Sequence, residues 1–211
     1  YKGYTIQPYS PAAGTGLSSH ELNQPGTYKP VKDTSVVAMF RLRETEHKRE
    51  ILGIEDPAYL LAWTTTPWTL PSNTALAIGP MIDYVAVRTF NAYTYDPIVV
   101  LLAKELLSRW FKAEDKDLKL ADYVKGDKRI PYEVLRTYES FELEELTYEP
   151  LFGDLPVVSK YFANNPDSFR VVVGDFVTTE DGTGIVHISP TFGADDKRVA
   201  DKNDIKGIYT V

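Results

Sequence analysis

Trp63-Thr-Thr-Thr-Pro-Trp-Thr-Leu-Pro-Ser-Asn73 is the stretch on which the fold turns. Tyr59 to Thr66 predicts a strand. Pro67 and Pro71 then remove ladder donors and force a turn. If Leu60 to Thr66 is extended, Thr64 and Thr66 share one face and Thr65 takes the other. Hydroxyls are thereby gathered at a sheet edge or rim, where they can position a water or bind a ribose. The plainer account is that threonine favours strands and Ser72-Asn73 caps a turn.

Around this stretch, Ser35 to Leu42, Asn73 to Ile78, Arg170 to Val177 and Gly184 to Ser189 also predict strands. Tyr84 to Phe90 alternates in part, which predicts a strand with one buried face. Leu102, Leu106 and Trp110 recur at four-residue spacing and predict a helix over Leu101 to Lys112. Asp195 to Asn203 predicts a short polar helix. Residues 1–34 are rich in turn formers (Pro8, Pro11, Gly14, Gly16, Pro25, Gly26, Pro30) and read as an extended lead-in with little helix. Residues 113–150 are highly charged and read as a peripheral helix-and-loop lobe. Many strands, few helices and no regular strand-helix alternation predict a single mixed α/β (α+β) domain, barrel-like rather than doubly wound.

The 211 residues carry 30 acidic and 23 basic side chains, a net charge of -7. That balance argues against a free-standing nucleic-acid binder, which shows a basic footprint. With no cysteine, disulfides, thiolate zinc sites and thiol nucleophiles are excluded together. The longest apolar runs, such as Ile98 to Ala103, are too short to span a bilayer. Tyr1-Lys-Gly-Tyr has neither the basic start nor the apolar core of a signal peptide, which points weakly to a non-secreted protein. Val211 closes the β-rich run Ile208 to Val211, so the chain reads as a piece excised from something longer.

Asp181-Gly-Thr-Gly-Ile-Val-His-Ile-Ser-Pro-Thr-Phe-Gly-Ala-Asp-Asp196 is the second chemically suggestive stretch. Gly182 and Gly184 permit a tight turn or a close backbone approach by a ligand. On a strand, His187 shares a face with Ile185, opposite Val186 and Ile188. Asp195 fits a helix N-cap and Asp196 a favourable first-turn charge, although capping needs no second acid. A lone histidine is more often structural than catalytic, and His20, His47 and His187 are too scattered for a metal cluster. No serine elbow is present. Neither Gly14-Thr-Gly16 nor Gly182-Thr-Gly184 continues as a phosphate loop, which argues against ATP use within this chain.

Ala62 to Ala77 together with Gly182 to Asp196 resembles the editing domain of isoleucyl-tRNA synthetase, the connective-peptide insertion of that class I family. Pro8-Tyr-Ser-Pro11 and Gly14 to Glu21 resemble the segment by which the family's chain enters the insertion. The likeness covers most of the chain and is least diagnostic over residues 91–165. Valine and leucine relatives usually carry Thr-Thr-Arg-Pro, whereas Thr66 and Trp68 stand here, which points to the isoleucine enzyme. The adenylate-forming signatures (His-Ile-Gly-His and Lys-Met-Ser-Lys-Ser types) are absent.

The resemblance implies hydrolysis of valyl-tRNA(Ile) by attack of water on the aminoacyl ester, with isoleucine excluded sterically. A pocket gains only about 1–3 kcal/mol from the methylene separating valine from isoleucine. The isoleucine enzyme is the standard instance of that limit, so the figure is carried over, not inferred from these residues. By resemblance Asp196 binds the α-ammonium, and Thr64, Thr65 and Thr66 line the pocket and hold water or the terminal ribose. Asn73, His187 and Gly184 complete it. His187 limits side-chain size or orients water, with a general-base role as an alternative. Trp68 is an aromatic wall near the adenosine, a core role being equally open. A free ribose hydroxyl of the substrate assists the attack. The segment needs no metal or cofactor of its own, whereas the full-length parent would use ATP and Mg. Its partners would be the 3′ end of tRNA(Ile) and the parent's catalytic domain, in the cytoplasm, with the fragment a monomer. The alternatives are a valine- or leucine-type editing domain, a non-catalytic tRNA-docking insertion, or an acidic β-rich interaction domain.

Overall fold

The computed structural model describes residues 7–30, 32 and 34–210, in two units, Tyr1–Thr34 and Ser35–Val211. Readings placed on Tyr1 to Tyr4 and on Val211 lie outside the described residues. In the first unit β1 (Tyr9–Ser10) and β2 (Thr15–Gly16) form a short antiparallel hairpin, and α1 (Ser19–Leu22) follows. Ser18 caps that turn, its hydroxyl accepting from the Glu21 amide while the Glu21 carboxylate accepts from the Ser18 amide.

The second unit holds β3 (Val36–Arg41), α2 (Glu46–Leu52), β4 (Ala58–Thr64), β5 (Ala75–Ile78), β6 (Tyr84–Phe90) and β7 (Pro97–Ala103). After these come α3 (Leu107–Trp110), β8 (Glu133–Tyr138), α4 (Ser140–Leu143), α5 (Pro156–Asn164), β9 (Arg170–Val173), β10 (Ile185–Ile188) and α6 (Ala194–Lys202). Five strands form one sheet in the order β3-β4-β7-β6-β8, and three form another in the order β10-β5-β9. The β4–β7 and β5–β9 pairs are parallel, and the others are antiparallel.

Strand alternation sorts the core into layers. Phe40, Leu60, Ala62, Leu101 and Ala86 of the large sheet meet Leu76, Ile78, Val171 and Ile185 of the small one in a single buried cluster. The opposite face of the small sheet, Ala75, Ala77, Val172 and Ile188, packs on Val199 and Ala200 of α6. The outer face of the large sheet, Leu61, Val85, Val87, Ile98, Val100 and Leu102, is covered by Tyr132, Leu107 and Phe111. At one corner the sheets are tied through 146–149: Arg43 N–H donates to Thr147 C=O, and Tyr148 N–H to Phe169 C=O.

The architecture is therefore mixed α/β, and the two sheets do not close into a barrel. Three expectations need correction. Leu101 and Leu102 belong to strand β7, and helix appears only after Ala103. The run from Ile98 to Ala103 is apolar on both faces because both are covered, and this defeats a periodicity reading. Residues 113–150 are not merely peripheral: β8 is an edge strand of the large sheet, and Tyr138, Leu143, Leu146 and Tyr148 reach the core. Charged side chains along an exposed edge hid that strand. Finally, β6 is buried on both faces, because β7 and β8 flank it and clusters lie above and below.

Candidate active site

Thr64 ends β4 on the face that meets the small sheet, and Pro67 opens a 3₁₀ turn, Pro67–Ser72. A proline suits that position because its missing N–H is unsatisfied there in any case. Thr66, held before the proline, is non-helical at φ -124° and ψ 64°. This bend folds the hydroxyls together. Thr66 N–H donates to Thr64 Oγ1 at 3.0 Å, and Thr69 Oγ1 donates to Thr66 C=O at 2.8 Å. Thr66 Oγ1 lies 3.3 Å from Thr64 Oγ1 and 3.5 Å from Thr69 Oγ1.

His187 of β10 faces the same group. Its Nε2 lies 3.2 Å from Thr69 Oγ1 and 3.4 Å from Thr64 Oγ1. Burial lowers its pKa to about 4, so the imidazole is neutral at neutral pH. The hydrogen bonds then fix the tautomer. The one hydroxyl proton of Thr69 goes to the Thr66 carbonyl, so Thr69 can only accept from the ring. Nε2 therefore carries the proton, and Nδ1 is an unprotonated nitrogen, buried and without a partner among the described residues.

Two residues beyond His187, the Ser189 amide donates to Asp196 Oδ2 at 2.8 Å. This bond holds the half-buried carboxylate at the end of β10, in the first turn of α6. Burial, followed by the nearby Asp195 charge, raises the Asp196 pKa, and the amides of Ser189 and of Asp196 itself oppose that shift. Gly193 lets the carboxylate lie close to the backbone: a Cβ there would be 2.8 Å from Asp196 Cγ and would push that side chain aside. Asp195 is not the N-cap: that position is Gly193, and Asp195 instead pairs with Arg198 at 3.3 Å.

Thr64, Thr66 and His187 are thus brought together, with Asp196 held at the end of the strand that carries His187. Thr65 and Trp68 are exposed, Trp68 by 66%. Asn73 and Gly184, expected to contact substrate, both carry structural bonds. Asn73 is buried, its amide donating to Ala75 C=O and its oxygen accepting from Tyr148 OH, each at 2.7 Å. It holds the backbone between the 3₁₀ turn and β5. Gly184 has φ +73° and its carbonyl accepts from Tyr84 OH at 2.7 Å. It serves the turn into β10. Sequence reasoning missed Thr69 and Ser189; an i, i+3 hydroxyl spacing from Thr66 across the proline turn was the available signal for the first. A cleft of about 670 Å³, lined by Met39, Leu61, Tyr93, Trp110 and Tyr132 among others, lies on the outer face of the large sheet and contains none of these residues. Among the described residues no group of His, Asp or Glu side chains is placed to hold a metal ion, and no helix is long and apolar enough to cross a membrane.

No family model matches the chain. Over 210 residues it is 57% identical to an isoleucine–tRNA ligase of Cytophaga hutchinsonii, covering 100% of this chain and 18% of that protein. Over 200 residues it is 58% identical to the isoleucine–tRNA ligase of Bacteroides fragilis, covering 95% of this chain and 17% of the relative. The chain thus spans less than one fifth of the curated relatives it matches. Among solved structures it resembles the editing domain of P. knowlesi cytosolic leucyl-tRNA synthetase, with a TM-score of 0.55 and 13% identity over 81% of this chain and 64% of that one. The GlLeuRS-CP1 structure is similar with a TM-score of 0.51 and 16% identity, covering 82% of this chain and 65% of the other. Sequence along the whole chain and fold along four fifths of it agree, and they identify the chain as a segment of the isoleucine–tRNA ligase family with the fold of a synthetase editing domain.

Proposed function

We propose that this segment hydrolyses valyl-tRNA(Ile), the product of mistaking valine for isoleucine, and spares the isoleucyl ester. The observation that carries the reading is the meeting of Thr64, Thr66 and Thr69 with a neutral His187, on the strand whose end holds Asp196. A half-buried carboxylate held by backbone amides keeps further lone pairs for an ammonium. The buried imidazole and the Thr69 hydroxyl are rigid groups that can bound the space for a side chain and exclude one more methylene.

Water attacks the ester carbonyl carbon, the bond to the ribose oxygen breaks, and that oxygen takes up a proton as valine leaves. His187 is a poor general base for this step, because its pKa of about 4 lies far below working pH and its unprotonated Nδ1 is buried away from solvent. The neighbouring free ribose hydroxyl of the substrate orients the water instead. Thr65 and the exposed Trp68 meet the ribose and adenine of the tRNA 3′ end. The segment uses no cofactor of its own, and synthesis with ATP and Mg belongs to the remaining parts of the longer protein, in the cytoplasm. The net charge of -7 fits a segment that receives only the 3′ end while other domains hold the tRNA. The test is ester loss from valyl-tRNA(Ile) and isoleucyl-tRNA(Ile) in the full-length protein. Faster loss of the valyl ester, abolished in Asp196→Ala, is expected, and equal loss of both esters would refute the reading. A valyl ester lacking the adjacent ribose hydroxyl should hydrolyse slowly.

A further inference from the structure

The two halves of this site are joined by a third segment that neither motif includes. After α6, Asp204 takes a left-handed φ of 55° and turns the chain back. Ile205 and Ile208 are buried, Ile205 beside α6 and Ile208 in the cluster between the sheets. Between them Gly207 passes so close to the loop after β10 that a Cβ would lie 2.8 Å from Thr191 Cγ2. Thr191 Oγ1 donates to Ile208 C=O at 3.0 Å. Two residues later, Thr210 Oγ1 lies 2.7 Å from Ser72 Oγ, and Tyr161 OH donates to Lys206 C=O on the way.

Both anchor points matter for what they adjoin. Ser72 is fully buried and closes the 3₁₀ turn that carries Thr69. Thr191 lies between Ser189, which holds the Asp196 carboxylate, and Asp196 itself. The start of the 3₁₀ turn is held by Thr64 and His187, and its end is held by the Ser72–Thr210 hydroxyl pair.

We propose that residues 205–210 act as a tie that sets the spacing between the Thr69 turn and the Asp196 loop, with Ser72 and Thr210 as positioning residues for ester hydrolysis. The proposal rests on the function given above. Misplacing reacting groups by a fraction of an ångström costs rate and leaves binding largely intact. Thr210 is only partly buried, so Thr210→Val keeps the shape and removes the hydroxyl. Thr210→Ser, which keeps a hydroxyl for the buried Ser72, separates loss of the bond from loss of packing.

In the full-length protein, Thr210→Val should lower kcat for valyl-tRNA(Ile) hydrolysis about tenfold with KM within about twofold, and Thr210→Ser should restore it. Hydrogen exchange read by mass spectrometry supplies a measurement independent of activity. The tie predicts faster exchange in Thr210→Val at both 64–73 and 187–196. Faster exchange at 64–73 alone, or wild-type kcat and exchange in Thr210→Val, overturns it. If the wild type fails to hydrolyse the valyl ester, the functional reading falls, and the exchange pattern still decides the tie.

Discussion

Thr69 Oγ1 lies 3.2 Å from His187 Nε2, joining a proline-turn residue to a strand residue 118 positions away. This bond locks the histidine tautomer and brings the threonine-rich turn against β10. The ring is held by hydroxyls and by burial, and among the described residues no carboxylate bonds to it.

Thr69→Val removes the donor to the Thr66 carbonyl and the acceptor for Nε2–H. The variant is expected to be less stable by about 1–3 kcal/mol, the cost of a buried polar group left unpaired. The melting temperature should fall by several degrees. Thr69→Ser, which keeps the hydroxyl, should recover most of the loss, and equal melting of Val and Ser variants would contradict the bond's role.

His187 gives folding stability a pH dependence of defined sign. Its pKa is about 4 folded against an ordinary 6.5, so between these values the unfolded chain binds the extra proton. Stability is therefore full above about pH 6.5 and is lost as pH falls toward 4. The contribution is roughly 3 kcal/mol at its limit. Urea unfolding of wild type and His187→Gln at pH 7 and pH 4.5 checks it: the pH-dependent loss should be smaller in the variant.

The same neutrality shapes the rate profile. Hydrolysis of the valyl ester should show no inflection near pH 6.5 belonging to His187. An inflection there that disappears in His187→Gln would restore the histidine as a general base.

Gly184→Ala is expected to destabilise severely. The residue has φ +73°, and its new methyl would overlap Ala103 Cβ. Both penalties act in the core, where overpacking alone costs about 1–3 kcal/mol. Thermal unfolding of the variant measures the loss, and a melting point near wild type would show that the turn can relax.

Local rules carried the reading of this chain a long way. The shared face of Ile185 and His187 follows from a period of two, and the meeting of Thr64 with Thr66 follows from the proline stop, which ends β4 at Thr64 and bends Thr66 back onto it. What escaped was non-local. Leu101 and Leu102 sit in a strand because a second layer covers each face of β7, which no window of sequence reveals. Thr69 matters because of a partner on another strand. Asn73 and Gly184 lie inside the motifs, yet their polar atoms turn inward to Tyr148 and Tyr84. Residue type announces that a group is polar; only packing decides which way it points.

The central claim is that Asp196 holds the α-ammonium of a valyl ester. It is tested most directly by comparing valyl-tRNA(Ile) with its α-hydroxy counterpart, in which hydroxyl replaces the amine, on wild-type protein and on Asp196→Asn. Asparagine keeps an acceptor for the Ser189 amide and removes the charge. Wild type should hydrolyse the valyl ester about a hundredfold faster than the hydroxy ester, as for loss of a charged hydrogen bond of about 3 kcal/mol. Asp196→Asn should bring the two to similar rates. A preference for the amine that survives unchanged in Asp196→Asn would contradict the account.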